Sequence, residues 1–509
     1  MPRAALRRFA LLSVVAGAVA CAINPVTKRP EVVLVSEAAE RRLGAQQAEQ
    51  IARDPGLFGD PALGDYLQRL GERLAERSPR PDLDWKFSVL DLWGQNAFAL
   101  PGGYVYVTRG LLAYLNREDE LAFVLAHEIG HVAARHSVQR MTRAAPLAVA
   151  TGLPAAAVSL VLPAAGRALG SMGQFANSAL MAPYGRAQEL EADAVGQGLV
   201  ADSGWDPAAL MDFVRTLERE RALRGEEERL GFLRTHPLSS ERIERGEENA
   251  ARLGAHPGDD PRADRASFLA HLEGLRVGPD PRAGVFYGNH FRHPELDLAI
   301  EFPEGWSTVN GREYVMATDP DGVARVVLEV AGREEDPLVV ARRFAKGTGA
   351  AFGLLPRATT LASYPGARAI GHDDEASLDV SWVAYAGRVY QVTGIAPLED
   401  YERFQTAFID VALSLRGLTS AERDSILEDV LHVVSARAGE SLAELIDRSG
   451  GLWNEQTTAV ANGLEPGASM RAGGLVKVPV RRHYRVGPKP EAAAPGSSAG
   501  SPGSGGSGS

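Results

Sequence analysis

The segment His-Glu-x-x-His at 127–131 carries the clearest chemistry in the sequence. Apolar residues recur at helical spacing on both sides of His127, Glu128 and His131, and Asn116 is predicted to cap this helix. Because four residues turn an α-helix by about 400°, the two imidazoles project from nearly the same face, one turn apart. Two such nitrogens can bind one tetrahedral cation, and Glu128 beside them can accept a proton from a water on that metal. The alternative is a pair of surface histidines on an amphipathic helix, because a motif with three fixed positions can arise by chance.

A second helical segment offers two carboxylates at the same spacing. Glu189 and Asp193 are four residues apart and share a helix face, so Glu189 could complete the metal shell. Asp193 could then accept the distal N–H of a ligating histidine and fix its orientation. Glu191 points elsewhere on this helix and is interpreted as a surface charge. From spacing alone, a charged exposed face explains Glu189 and Asp193 better than a metal site does.

Several short segments together resemble one known family. In order and spacing they are similar to the Ste24/HtpX-type gluzincin zinc metallopeptidases, particularly the periplasmic BepA and LoiP branch. The resemblance covers residues 21–250, about half of the chain. The segments that carry it are Asn96-Ala97-Phe98 with Pro101-Gly102-Gly103, His127–His131, Glu189–Asp193, and Thr235-His236-Pro237 with Glu241-Arg242-Ile243.

The resemblance implies a zinc-dependent endopeptidase with one Zn²⁺ per chain. The metal ligands would be His127, His131 and Glu189, and Asp193 would orient a ligand. Glu128 would be the general base that assists attack of zinc-bound water on a peptide bond.

Three further roles follow from the resemblance. His236 would lie near the metal, either stabilising the oxyanion or occupying the open coordination position in a resting state. Either the strand Tyr104–Val107 or the segment Asn96–Phe98 would present its backbone to an extended substrate as an added strand. Arg242 is interpreted as a structural ion pair. His136 is about half a turn off the ligand face and is given no role in the site, and the remaining histidines show no ligand spacing.

Length and composition bound the other possibilities. A chain of 509 residues predicts about three domains. Apolar residues make up 45% and charged residues 23%, the balance of a folded soluble protein. The formal net charge is −11 and no stripe rich in Lys and Arg is visible, which excludes a nucleic-acid partner.

The N-terminus is typical of an exported bacterial protein. Residues 1–20 are predicted to be a signal peptide, with a basic start and a short apolar stretch. Cys21, the only cysteine, follows small residues and resembles the lipidated cysteine of a bacterial lipobox. Residues 21–36 would then be the lipid-anchor linker, and Ala22 would favour the outer membrane by analogy with other lipoproteins. The alternatives are a plain signal peptide with an incidental cysteine, and a buried thiol.

The fold class predicted is multidomain. Residues 37–275 form a mainly α-helical metallopeptidase domain with a small β-sheet, and residues 284–417 an α+β domain of unknown role. Residues 431–481 are similar to a LysM module, which implies binding to peptidoglycan; a small packing domain without a ligand is the equal alternative. Residues 487–509 lack an apolar face and are predicted to be a disordered tail. Residues 144–166 carry no charge and are interpreted as a lid or membrane-facing hairpin over the cleft.

Three functions from different classes remain open. The leading hypothesis is an endopeptidase that degrades misfolded or misassembled proteins of the bacterial cell envelope. It would act at the periplasmic face of the outer membrane as a lipoprotein, or in the periplasm if Cys21 is not lipidated. A second hypothesis is a peptidoglycan-binding scaffold, and a third is a zinc hydrolase that cuts cell-wall peptide cross-links.

Overall fold

The computed structural model describes residues 20–33, 35–140, 142, 183–224, 231–254, 261–311 and 313–486. The predictions for the signal peptide, for residues 144–166 and for the tail at 487–509 fall outside these residues. Within the described ranges, no helix is both long enough and apolar enough to cross a membrane.

The first unit is mainly helical. Its strands are β1 (Ala20–Ile23), β2 (Pro30–Val33), β3 (Lys86–Leu90), β4 (Ala97–Leu100), β5 (Tyr104–Thr108) and β6 (Arg276–Val277). Its helices are α1 (Glu37–Ile51), α2 (Pro61–Ala75), α3 (Arg109–Leu112), α4 (Glu118–Ala133), α5 (Arg186–Asp202), α6 (Ala209–Arg224), α7 (Phe232–Thr235), α8 (Ser240–Leu253) and α9 (Pro261–Leu272), with a π-helical turn at Ala52–Gly56.

The helix that carries the His-Glu-x-x-His segment is α4, and it is buried almost throughout. It begins at Glu118 with Arg117 in the N-cap position, so the prediction that Asn116 caps it is wrong. Acidic residues fill its first turn, where the helix dipole favours negative charge. One of them, Glu120, accepts a hydrogen bond from the Asn116 backbone N–H through Oε2 at 2.7 Å. The start of α4 is therefore stabilised by acidic side chains in its first turn and not by a side-chain cap from Asn116.

A three-stranded sheet borders α4, in the order β3-β5-β4. β5 pairs in parallel with β3 on one side and antiparallel with β4 on the other. Both backbone edges of Tyr104–Val107 are thus occupied, and the prediction that this strand receives a substrate is wrong. Among the described residues β4 lies at the edge of the sheet, so Asn96–Phe98, which is buried, stays the predicted segment for that role.

The second unit is built on a seven-stranded antiparallel sheet in the order β10-β11-β12-β16-β15-β14-β13. Its helices, α10 (Pro337–Lys346) and α11 (Tyr401–Leu413), pack on this sheet. The predicted hairpin joins β15 to β16 through Ala386 and Gly387, whose φ angles of 47° and 73° fit a type I′ turn. The strands are β7 (Val285–Tyr287), β8 (His290–His293), β9 (Leu298–Glu301), β10 (Ser307–Asn310), β11 (Tyr314–Thr318), β12 (Arg325–Arg333), β13 (Arg357–Leu361), β14 (Tyr364–His372), β15 (Ala376–Tyr385) and β16 (Arg388–Pro397), with β7, β8 and β9 in a separate small sheet.

The third unit follows a short helix, α12 (Ser420–Asp424), and runs strand, helix, helix, strand. Its elements are β17 (Leu427–Ser435), α13 (Leu442–Ser449), α14 (Glu455–Ala461) and β18 (Leu475–His483). β17 pairs with β18 and also with β6 of the first unit, and the first unit's apolar core includes Leu431, Val460 and Ala461. The third unit is therefore packed into the first through a shared sheet and a shared core.

Candidate metal centre

The two helices predicted to hold the site, α4 and α5, pack directly against each other, and two glycines permit their close approach. A Cβ on Gly130 would come within 3.1 Å of the Ala192 Cα and backbone oxygen. A Cβ on Gly196 would come within 3.1 Å of the His127 backbone nitrogen. Because backbone atoms give way less easily than side-chain ends, any larger residue at either position would push the helices apart.

This packing brings three predicted ligands together. His127 Nε2 lies 3.0 Å from His131 Nε2 and 3.6 Å from Glu189 Oε2. His131 Nε2 lies 3.4 Å from Glu189 Oε1. Donor atoms that share one tetrahedral zinc at bond lengths of about 2.0–2.1 Å are separated by about 3.3–3.4 Å. The three side chains therefore fit one zinc ion, and a cation between the two facing imidazole nitrogens would relieve the repulsion of their lone pairs.

His236 stands at the fourth corner of this group. Its Nδ1 lies 3.1 Å from His127 Nε2 and 3.1 Å from Glu189 Oε1. All four donor atoms lie within 4.8 Å of one another, and all four residues are buried. The imidazole is held in place by Phe232, whose ring stacks on it at a centroid distance of 4.4 Å. The structure thus places His236 beside the predicted ligands, and not merely in a loop.

Asp193 lies behind the cluster of donor residues. Its Oδ1 is 3.0 Å from His127 Nδ1, on the side of the ring away from the other donor atoms. Arg242 donates two hydrogen bonds to this carboxylate, Nε to Oδ2 at 2.7 Å and Nη2 to Oδ1 at 2.9 Å. Burial alone would raise the pKa of Asp193, but the guanidinium and His127 hold that pKa below its usual value. Asp193 is therefore a carboxylate acceptor that can keep the proton of His127 on Nδ1.

Arg242 also reaches the third predicted ligand. Its Nη1 lies 2.7 Å from Glu189 Oε2, and it further donates to the backbone oxygens of His236 and Pro237. Arg242 forms the expected ion pair. Its guanidinium contacts both carboxylates, Glu189 and Asp193, and also the backbone of the His236 loop. One guanidinium thus links three parts of the site.

Glu128 is fully buried beside the ligands. Its Oε1 lies 3.3 Å from His236 Nε2, and neither carboxylate oxygen forms a hydrogen bond with the residues that the structure describes. Burial raises the pKa of Glu128 above its usual value. A raised pKa makes the carboxylate a better proton acceptor than an ordinary glutamate, which is the property that a general base requires.

Sequence reasoning missed two contacts of His131. The Tyr184 ring stacks on His131 at a centroid distance of 3.7 Å and an interplanar angle of 16°. His136, which was given no role, lies with its Nδ1 2.8 Å from His131 Nδ1. Glu191 lies 3.7 Å from His136 and keeps 23% of its side chain exposed, so it is not a fully solvated charge as predicted. The position of His136 five residues after His131 was the one available signal, and helical spacing argued against it.

Comparisons with known proteins agree with this site. Residues 61–250 match the family described as Peptidase family M48. Mitochondrial metalloendopeptidase OMA1 of Schizosaccharomyces pombe is 33% identical over 231 residues, which cover 44% of this chain and 65% of that protein. Beta-barrel assembly-enhancing protease is 32% identical in Yersinia pestis, over 42% of this chain and 44% of that protein. In Escherichia coli it is 31% identical, over 40% of this chain and 42% of that protein.

The chain thus spans less than two thirds of the length of each of these relatives. All four clustered donor residues, from His127 to His236, fall inside the matched segment. Residues 61–250 are thus similar to Peptidase family M48, and the four clustered donor residues lie within that similar segment.

Proposed function

We propose that this chain is a zinc-dependent endopeptidase of the bacterial cell envelope. The observation that carries the proposal is the convergence of His127, His131 and Glu189, whose donor atoms are separated by distances that one zinc ion requires. Imidazole and carboxylate ligands suit zinc, and three protein ligands are the number found in catalytic zinc sites. When bound, zinc would lower the pKa of a coordinated water and polarise the carbonyl of the substrate.

Glu128 supplies the proton transfers of the reaction. Its buried carboxylate accepts the proton of the attacking water, and the same group then delivers that proton to the leaving amine. Its raised pKa favours the first step, because a carboxylate with an ordinary pKa would accept the proton of the water less readily. His127 and His131 keep fixed orientations meanwhile, since Asp193 lies against Nδ1 of the first ring and Tyr184 stacks on the face of the second.

His236 holds the site in a resting state in this proposal. Its Nδ1 lies at 3.1 Å from both His127 and Glu189, where a water or the substrate oxygen would have to be. Movement of the Thr235-His236-Pro237 turn would open that corner. The alternative role of His236 is to stabilise the oxyanion, and it could take this role once its ring has moved.

The substrate would bind as an extended strand along the edge of β4. This edge strand lies against α4, so a peptide paired with Asn96–Phe98 would run past the metal site. Main-chain hydrogen bonds of this kind recognise extended backbone whatever the side chains, which fits segments of unfolded protein. Misfolded or misassembled envelope proteins are accordingly the proposed substrates, in keeping with the printed names of the bacterial relatives.

The proposed cellular placement depends on Cys21 and on residues 431–481. Lipidation of Cys21 would anchor the protein to a membrane, at the periplasmic face of the outer membrane. Without lipidation the exported protein would be periplasmic. Residues 431–481 would add binding to peptidoglycan glycan, although their packing into the first unit also fits a structural role without a ligand.

Proteolysis of unfolded casein by the purified chain tests the proposed activity. We expect degradation that a chelator stops and zinc restores, and we expect Glu128→Gln to abolish it while zinc content stays near that of the wild type. Glu244→Gln, an exposed carboxylate on α8, is the matched control and should keep full activity. Full activity of Glu128→Gln would contradict the mechanism.

Purified sacculi separate the remaining alternatives. Release of cross-link peptides without casein degradation would favour the cell-wall hydrolase. Binding to sacculi without hydrolysis of either substrate would favour the scaffold.

A further inference from the structure

We propose that His136 is a positioning residue of the metal centre, which fixes the tautomer and orientation of His131. This inference rests on the proposed function, because it takes His131 as a zinc ligand. His136 lies outside α4 and is not one of the four clustered donor residues, so it is not itself proposed as a ligand.

The contact itself joins two ring nitrogens. His136 Nδ1 lies 2.8 Å from His131 Nδ1, and the two side chains are each 1% exposed. A contact this short between two nitrogens requires a hydrogen on one of them and a lone pair on the other. Because both side chains are almost fully buried, the hydrogen between the two nitrogens is not replaced by a hydrogen bond to solvent.

Metal binding decides which nitrogen carries that hydrogen. If His131 binds a cation through Nε2, a neutral ring must keep its proton on Nδ1. His131 Nδ1–H then donates to the Nδ1 lone pair of His136, and the proton of His136 resides on Nε2. That atom faces Glu191 Oε2 at 3.7 Å, where a carboxylate favours an N–H. The N–H groups therefore all point the same way, from His131 to His136 and from His136 to Glu191.

The backbone after α4 explains how His136 reaches this place. Arg135 has a φ of 59°, a left-handed conformation that costs a residue with a Cβ about 1 kcal/mol. Arg135 is held there by Glu40, whose Oε2 accepts a hydrogen bond from its Nε at 2.9 Å. This conformation interrupts the helix after Ala133, and beyond it His136 lies beside His131.

The two histidine ligands are thus oriented by different acceptors. His127 faces the carboxylate of Asp193, whereas His131 faces the neutral imidazole of His136. Tyr184 covers one face of the His131 ring, so the hydrogen bond and the stack together leave that ring one orientation. Loss of a hydrogen-bond acceptor of this kind costs about 10–100-fold in metal affinity.

Zinc affinity of three variants of the full chain, measured by competition with a chromogenic chelator, tests the proposal. His136→Asn keeps an acceptor, because the Asn Oδ1 is attached to Cγ as the His Nδ1 is, and it should bind zinc within about threefold of the wild type. His136→Leu keeps the approximate volume without an acceptor, and it should bind zinc about 10–100-fold more weakly. Should His136→Leu fail to fold, as judged by circular dichroism, His136→Ala replaces it in the same comparison.

The outcomes separate this inference from the function on which it rests. Wild-type affinity in His136→Leu or His136→Ala, or equal weakening in His136→Asn, would overturn the positioning role. Failure of the wild type itself to bind zinc would refute the proposed function instead. Because affinity is read without substrate, neither result depends on proteolytic activity.

Discussion

Replacement of Lys477 by methionine should destabilise the first unit, although Lys477 belongs to the third. This lysine of β18 is fully buried, and its Nζ donates hydrogen bonds to the backbone oxygens of Ala113 and Leu115, just before α4. Burial holds the pKa of Lys477 well below its usual value. The side chain thus provides one N–H group for each of the two carbonyls.

The magnitude follows from the two carbonyl groups. Both belong to residues with no exposed surface, and Lys477 is the one donor that the described residues provide for them. A buried acceptor that loses its donor costs about 1–3 kcal/mol, so Lys477→Met should lower the free energy of unfolding by about 2–6 kcal/mol. Methionine fills similar volume, and a cavity adds little.

Urea unfolding followed by tryptophan fluorescence measures this effect. Trp93 and Trp453 lie at the contact between the units, with ring centroids 6.3 Å apart, and report on its loss. The control is Arg481→Met on the same strand, because Arg481 is 53% exposed and its ion pair with Asp429 is worth at most about 1 kcal/mol. Equal unfolding midpoints for the two variants would refute the reasoning that the third unit supports α4.

Three further predictions concern groups around the site. Glu40→Gln removes a carboxylate that is 1% exposed and lies between two buried arginines. It should lower the free energy of unfolding, measured in urea, by about 3–5 kcal/mol. A loss under about 1 kcal/mol would contradict the buried pairing. Burial raises the pKa of Glu120 to about 7, so the folded chain binds more protons than the unfolded chain between pH 4.5 and 7. Stability should therefore decline as pH rises through that range, and Glu120→Gln should flatten this part of the profile; an unchanged slope would show that Glu120 ionises normally. Gly196→Ala should weaken zinc binding, because its Cβ meets the His127 backbone at 3.1 Å, whereas Gly198→Ala, with open space around it, should not.

The sequence predicted the chemistry of the site better than its surroundings. The spacing of His127 and His131 follows from helix geometry, which is local, and so could be read directly. Glu189 lies 58 residues further on, and spacing alone left it as a surface charge; the family resemblance singled it out. The structure adds the reason why it can converge with them, namely the close contact of α4 and α5 at Gly130 and Gly196.

What the sequence did not predict depends on contacts between distant segments. Whether Tyr104–Val107 is a central or an edge strand is decided by its partners, and the parallel partner β3 is not evident from the strand's own residues. Helical spacing continued beyond Ala133 predicts that His136 lies half a turn off the ligand face, whereas the helix ends at Ala133 and Arg135 adopts a positive φ. The burial of Lys477 was equally hidden, since a lysine in an alternating strand is ordinarily exposed.

Metal analysis of the purified chain beside Glu189→Ala is the sharpest test of the proposed zinc site. We expect close to one zinc per wild-type chain and a loss of most of that zinc in Glu189→Ala, with Glu244→Ala retaining it. Undiminished zinc in Glu189→Ala would contradict the claim that α4 and α5 hold one ion between them, and with it the proposed hydrolytic function.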